Sequence, residues 1–133
     1  MDTNDINEEK LLLNLSQKLL NSISNKDWDT YVTLCDENLT CVEPETSGAM
    51  CEGMNFHKTF FEMPNDENIV IKENILSPSI KFFGDIAIVC YKRIKQKINI
   101  KEKGVSLSSY AETRIWKKFE SSTWKMVHFH KSS

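Results

Sequence analysis

The chain has 133 residues, of which 40% are hydrophobic and 27% charged, with only 4 Gly and 3 Pro. That length suits one domain around one core, and the composition excludes disorder, collagen-like repeats and a Pro-rich linker. A formal charge of -2 gives no general attraction to phosphate backbones, so no nucleic-acid partner is expected.

Polar residues 1–7 read as a flexible N-terminal tail of a single domain spanning 1–133. A helix is predicted over 8–25, where Leu12, Leu15, Leu19 and Ile23 recur at three- and four-residue steps. Asn25-Lys26-Asp27 is a turn, and Asp27 is placed to cap a short second helix carrying Trp28, Tyr31, Val32 and Cys35. A short strand over 39–42 leads into a loop over 43–53 containing Pro44, Gly48 and Gly53, and a third helix is expected over 54–63. Four extended segments follow, over 69–83 with an interruption near Pro78, 86–100, 105–118 and 123–131. Gly84-Asp85, Lys103-Gly104 and Ser121-Ser122 mark the turns between them. Helices first and hairpin-linked strands second imply an α+β fold, with the long helix covering one face of a curved antiparallel sheet.

Strand alternation puts Arg93 on one face with Ala87, Val89 and Tyr91, and puts Ile86, Ile88, Cys90 and Ile94 on the other. In the next strand Arg114 shares a face with Tyr110, Glu112 and Trp116, opposite Ala111 and Ile115. In the last, Lys131 shares a face with Val127 and Phe129, opposite Trp124, Met126, His128 and His130. Strands apolar on both sides need two covers. The helices supply one, and a second subunit is expected to supply the other, so the chain is read as a homo-oligomer.

A buried guanidinium is costly unless paired or solvated in a pocket, so Arg93 and Arg114 have two readings: partners of Glu112 or another internal carboxylate, or the lining of a concave anion site. His128 and His130 form an H-x-H pair that would chelate a metal only if a third ligand converged, with His57 and Cys90 the nearest candidates by pattern. Packing or interface histidines are the better reading, and no metal or cofactor is assigned. Glu43, Glu45 and Glu52 crowd one loop and read as solvated acids. Trp28, Trp116 and Trp124, like Phe56, Phe60 and Phe61, read as core or interface anchors. No phosphate-binding glycine loop and no kinase signature is present, so phosphoryl transfer is not supported. Cys35, Cys41, Cys51 and Cys90 form no C-x-x-C pair and read as reduced thiols. The acidic start and the lack of any run of ~18 apolar residues suit a cytoplasmic chain with no membrane partner.

Several segments together resemble the association (hub) domain of calcium/calmodulin-dependent protein kinase II. They are Val42-Glu43-Pro44-Glu45, Glu52-Gly53-Met54-Asn55-Phe56-His57, Glu112-Thr113-Arg114-Ile115-Trp116 and Val127-His128-Phe129-His130, in that order, within a likeness running over about 8–132. The resemblance implies a cone-shaped fold of the nuclear transport factor 2-like (SnoaL-like, cystatin-like) type and a non-catalytic role: dimers that assemble into a two-tiered ring. It implies a scaffold, acting alone or with a kinase bearing the same domain. With no kinase or regulatory segment read after Met1, calmodulin binding stays a property of the family and is not inferred for this chain. The resemblance also implies a pocket matched here by Arg93, Arg114 and His57, with Lys131, Tyr91, Tyr110 and Glu112 completing the candidate site. Its expected ligand is a carboxylate or an acidic peptide. Lys131 stands where the family carries arginine, which replaces a planar fork by a point charge.

Two alternatives remain at this level. A ligand binder or enzyme of the ketosteroid-isomerase or SnoaL-like group would use Glu112 or His57 as base and Tyr91 or Tyr110 as donor, although surrounding cations would hold the carboxylate ionised. A partner-binding adaptor would be a plain dimer.

Overall fold

A computed structural model describes residues 3–132. Helix α1 spans Thr3–Ser24, so residues 3–7, expected as a tail, are helical. Leu12, Leu19 and Leu20 are fully buried along one side of α1. Ser16 sits on that side without an unmet donor, because its hydroxyl donates to the Leu12 carbonyl at 2.8 Å. The helix stops where Lys26 turns into the left-handed region at φ 54°. Asp27 then caps α2 (Trp28–Leu34), accepting from Thr30 N–H at 3.2 Å and from its hydroxyl at 2.6 Å.

Strand β1 (Cys35–Val42) follows directly and is longer than expected, because Cys35 to Asn38 also join the strand. A short 3-10 turn at Pro44–Thr46 and the two-residue strand β2 (Cys51–Glu52) interrupt the predicted loop before α3 (Asn55–Glu62). The remaining strands are β3 (Ile69–Phe83), β4 (Ile86–Asn99), β5 (Gly104–Phe119) and β6 (Thr123–Lys131). They form one six-stranded sheet in the order β2-β1-β6-β5-β4-β3. All neighbours are antiparallel except β1 and β6, which pair in parallel with Thr40 opposite His128. That crossover joins the first and last of the described strands into one sheet.

Two register shifts re-aim side chains. In β3 the shift lies between Leu76 and Ser79, where Ser77 has φ 50° before Pro78. In β6, His128 opposes Ile115 while Met126 opposes Trp116, which leaves Val127 unpaired. This bulge corrects the simple alternation. Trp124 and Met126 share the buried face with Phe129, whereas strict period-2 counting put them opposite. The core accordingly gathers α1 and α2 residues against Ala87, Val89, Trp116, Trp124, Met126 and Phe129. Among the described residues, no helix is long and apolar enough to cross a membrane.

Candidate functional site

Register explains the site. Glu112 on β5 opposes Tyr91 on β4, Arg93 on β4 opposes Ile75 on β3, and Arg114 on β5 opposes Phe129 on β6. These side chains project to the core face, where water cannot compensate their charge. Arg93 pairs with two carboxylates. Its Nε and Nη2 donate to Glu73, the latter at 3.1 Å, and its Nη1 donates to Glu112 at 2.9 Å. Tyr91 donates to Glu112 at 2.6 Å and accepts from Arg114 Nε at 3.0 Å. Arg114 Nη2 lies 3.2 Å from Glu112, and its guanidinium stacks 4.3 Å from the Phe129 ring centroid.

The network therefore satisfies the pairing reading of the two arginines. Burial alone would raise the Glu112 carboxyl, but the charges of Arg114 and then Arg93, with donated hydrogen bonds, hold it at about 2. Burial opposes the charge on Arg114 too, and Glu112 outweighs it, leaving Arg114 more firmly protonated than usual. Burial, above all, raises the Tyr91 phenol well above its ordinary value, so it stays a neutral donor. Among the described residues, Arg114 Nη1 is buried with no hydrogen-bond partner.

Above this network opens a cavity of about 390 Å³, lined among others by Tyr31, His57, Phe61, Tyr110 and Phe129, with Arg93, Arg114, Lys95 and Lys131 supplying positive charge. Five of the seven expected residues, Arg93, Arg114, His57, Lys131 and Tyr110, line it; Tyr91 and Glu112 do not, and belong to the ion network. The cations are not alone. Glu43, read from sequence as a solvated loop acid, is 8% exposed and meets His57 Nε2 at 3.2 Å. Lys131 donates to Glu45 at 2.7 Å and lies 3.9 Å from Glu43.

Glu73 was missed, yet a signal was there: it shares strand parity with Ile71 and Ile75. Its carboxylate also accepts from Ser24 at 2.9 Å, and its carbonyl accepts from Gln17, which ties α1 to β3. The H-x-H pair does not converge with His57. His128 Nδ1 meets Thr40 Oγ1 at 2.7 Å on the opposite face, and the sulfur beside His57 is that of Cys41, at 3.7 Å, whereas Cys90 contacts Thr113.

A long helix laid on one face of a bulged sheet, beside a cavity roofed by α2 and α3, is the fold of the nuclear transport factor 2-like class. An NTF2-like protein from Cytophaga hutchinsonii matches the fold with a TM-score of 0.72 at 18% identity over 100% of this chain and 99% of that one. Residues 8–133 match the family described as the calcium/calmodulin dependent protein kinase II association domain, and the chain belongs to that family. The association domain of the Caenorhabditis elegans kinase superposes with a TM-score of 0.89 at 30% identity, covering 99% of this chain and 100% of that one. A hub homology domain from Chlamydamonas reinhardtii gives 0.83 at 35% identity, covering 91% and 94%. The Drosophila melanogaster kinase type II alpha chain is 35% identical over 124 residues, which are 92% of this chain but 23% of that protein. The chain thus spans about a quarter of the length of that kinase.

Proposed function

We propose that this chain is a non-catalytic assembly module that self-associates, through dimers, into a closed ring. The observation that carries the proposal is the sheet face turned away from the helices. There Ile86, Ile88, Ile94 and Ile115 are only half-buried, and Val105 and Leu107 are 60% and 69% exposed. A second copy offers the apolar cover that this single chain lacks. A kinase bearing the same domain would be accepted at the same contacts. The free cysteines suit a reducing compartment such as the cytoplasm.

The cavity is proposed to receive a carboxylate or an acidic peptide segment. The unpartnered Arg114 Nη1 is a buried donor at its lining, and Lys131 and Lys95 add charge. Arg93 is already committed to Glu73 and Glu112, so it orders the floor more than it offers contacts. An isomerase-like reading fares worse. Glu112, held at about 2 and engaged by three donor side chains, is unsuited to removing a proton from carbon.

Native mass, measured by light scattering across a concentration series, tests the assembly. A large mass stable to dilution supports the ring, and a monomer or plain dimer at all concentrations removes it. Titration with a small carboxylate, comparing the native chain with Lys131→Ala, tests the cavity separately.

A further inference from the structure

The geometry points to a site for a thiophilic divalent cation of the zinc class, built by Cys41, Glu43 and His57 at the edge of the cavity. Cys41 and Glu43 are two residues apart on extended chain, Glu43 having φ -154° and ψ 166°, so both side chains leave the same face of the β1 segment. His57, in the first turn of α3, reaches down to meet them.

The ligand atoms of these three side chains all lie within 4.8 Å of one another. His57 Nε2 is 3.7 Å from Cys41 Sγ and 3.2 Å from Glu43 Oε2. A tetrahedral ion bound at ordinary zinc distances places a sulfur and an imidazole nitrogen about 3.6 Å apart, and a nitrogen and a carboxylate oxygen about 3.3 Å apart. The two separations from His57 match those edges, and the third, between Cys41 Sγ and the Glu43 carboxylate, lies within 4.8 Å. The imidazole is also fixed in direction, since Tyr31, Phe56 and Phe129 pack around it with centroids 5.9, 5.6 and 5.5 Å away. One thiolate and one carboxylate neutralise a doubly charged ion. Lys131, the nearest cation to Glu43, has Glu45 as its shorter partner and can remain there.

Glu43 and His57 line the cavity, and the fourth position is left to water from that side. Two features hold the affinity below that of a closed four-ligand structural site. Cys41 must release its proton to solvent on binding, and burial, above all, pushes its thiol up to about 12 in the metal-free chain. His57 Nδ1 has no partner among the described residues to orient the ring from behind. Cys51, the cross-strand neighbour of Cys41, is outside the ligand set and serves as the internal control.

The test is titration of the full, demetallated chain with Co²⁺, followed by displacement with Zn²⁺. The expected result is one Co²⁺ per chain with the near-ultraviolet charge-transfer band of a single thiolate, discharged by Zn²⁺. Cys41→Ser loses the band, Glu43→Gln weakens binding by at least about tenfold, and Cys51→Ser matches the native chain. Circular dichroism and native mass confirm that each variant is folded; should Cys41→Ser not fold, Glu43→Gln and Cys51→Ser carry the comparison. No uptake by the native chain overturns the site. So does a band that survives Cys41→Ser, that disappears with Cys51→Ser, or that Glu43→Gln leaves undiminished. Stoichiometry is counted per chain, so the result does not depend on whether the ring forms.

Discussion

The two faces of the sheet invert the usual distribution of side chains. The inner face buries Glu73, Arg93, Glu112 and Arg114 at 6%, 4%, 2% and 1% exposure, while the outer face leaves Leu107 69% exposed. Ionised groups tolerate the interior because each finds a partner of opposite charge with hydrogen-bonding geometry. Leucine on the outer face is left mostly open to solvent by the described residues. Charge is therefore settled within one copy, and apolar area is left open where the proposed association would fall. The inner face speaks to folding, and the outer face to the proposed association.

Removing one member of the inner network breaks this contrast most strongly. Arg114→Ala leaves Arg93 alone to balance both Glu112 and Glu73 and takes a donor from Tyr91, so one buried negative charge goes uncompensated, and it is expected to cost about 3–5 kcal/mol in chemical denaturation. A loss well below 1 kcal/mol would mean that the network is solvated. This also makes Arg114→Ala a poor probe of ligand binding.

Acid acts on the same face. Glu112 is held at about 2, below its ordinary value of 4.5, so its contribution is fully present above that ordinary value and disappears as pH falls from about 4.5 through about 2. Stability on the order of 3 kcal/mol should be lost across that window. Denaturant midpoints compared at about pH 5 and about pH 3 should already differ, and Glu112→Gln should flatten the dependence.

Lys131→Ala tests the rim, where the partner carboxylate of Glu45 is 53% exposed. It should cost no more than about 1 kcal/mol of stability while weakening a bound carboxylate, as read by calorimetry. The smallest effect on the fold belongs to Leu107→Glu, with a change within about 0.5 kcal/mol. On the proposed assembly it should act in the opposite sense, lowering the native mass. A variant that keeps the native mass would move the contact elsewhere.

Much of the architecture was legible in the sequence. The leucine spacing placed α1, Asp27 announced the cap of α2, and Gly84-Asp85 separated β3 from β4. The bulge in β6 was not legible, because neither glycine nor proline marks Val127; the extra residue shows only against the register of β5. Pro78 did mark its counterpart in β3. At the site, Arg93 and Arg114 stood out as charges among apolar neighbours, and the same parity applied to Glu73 would have supplied the missing anion. Glu43 was hidden for a different reason. It lies one residue beyond β1 next to Pro44, and only tertiary closure by α3 and β6 turns that loop position into an interior one.

The parallel pairing of β1 with β6 also bears on synthesis. Thr40 and His128 meet across 88 positions of chain, so β1 leaves the ribosome long before the strand that flanks it exists. Until the last residues emerge, β1 has β2 on one side and an open row of backbone donors and acceptors on the other. A nascent chain paused late in translation therefore presents a sticky edge, and that interval is when a chaperone has most to shield.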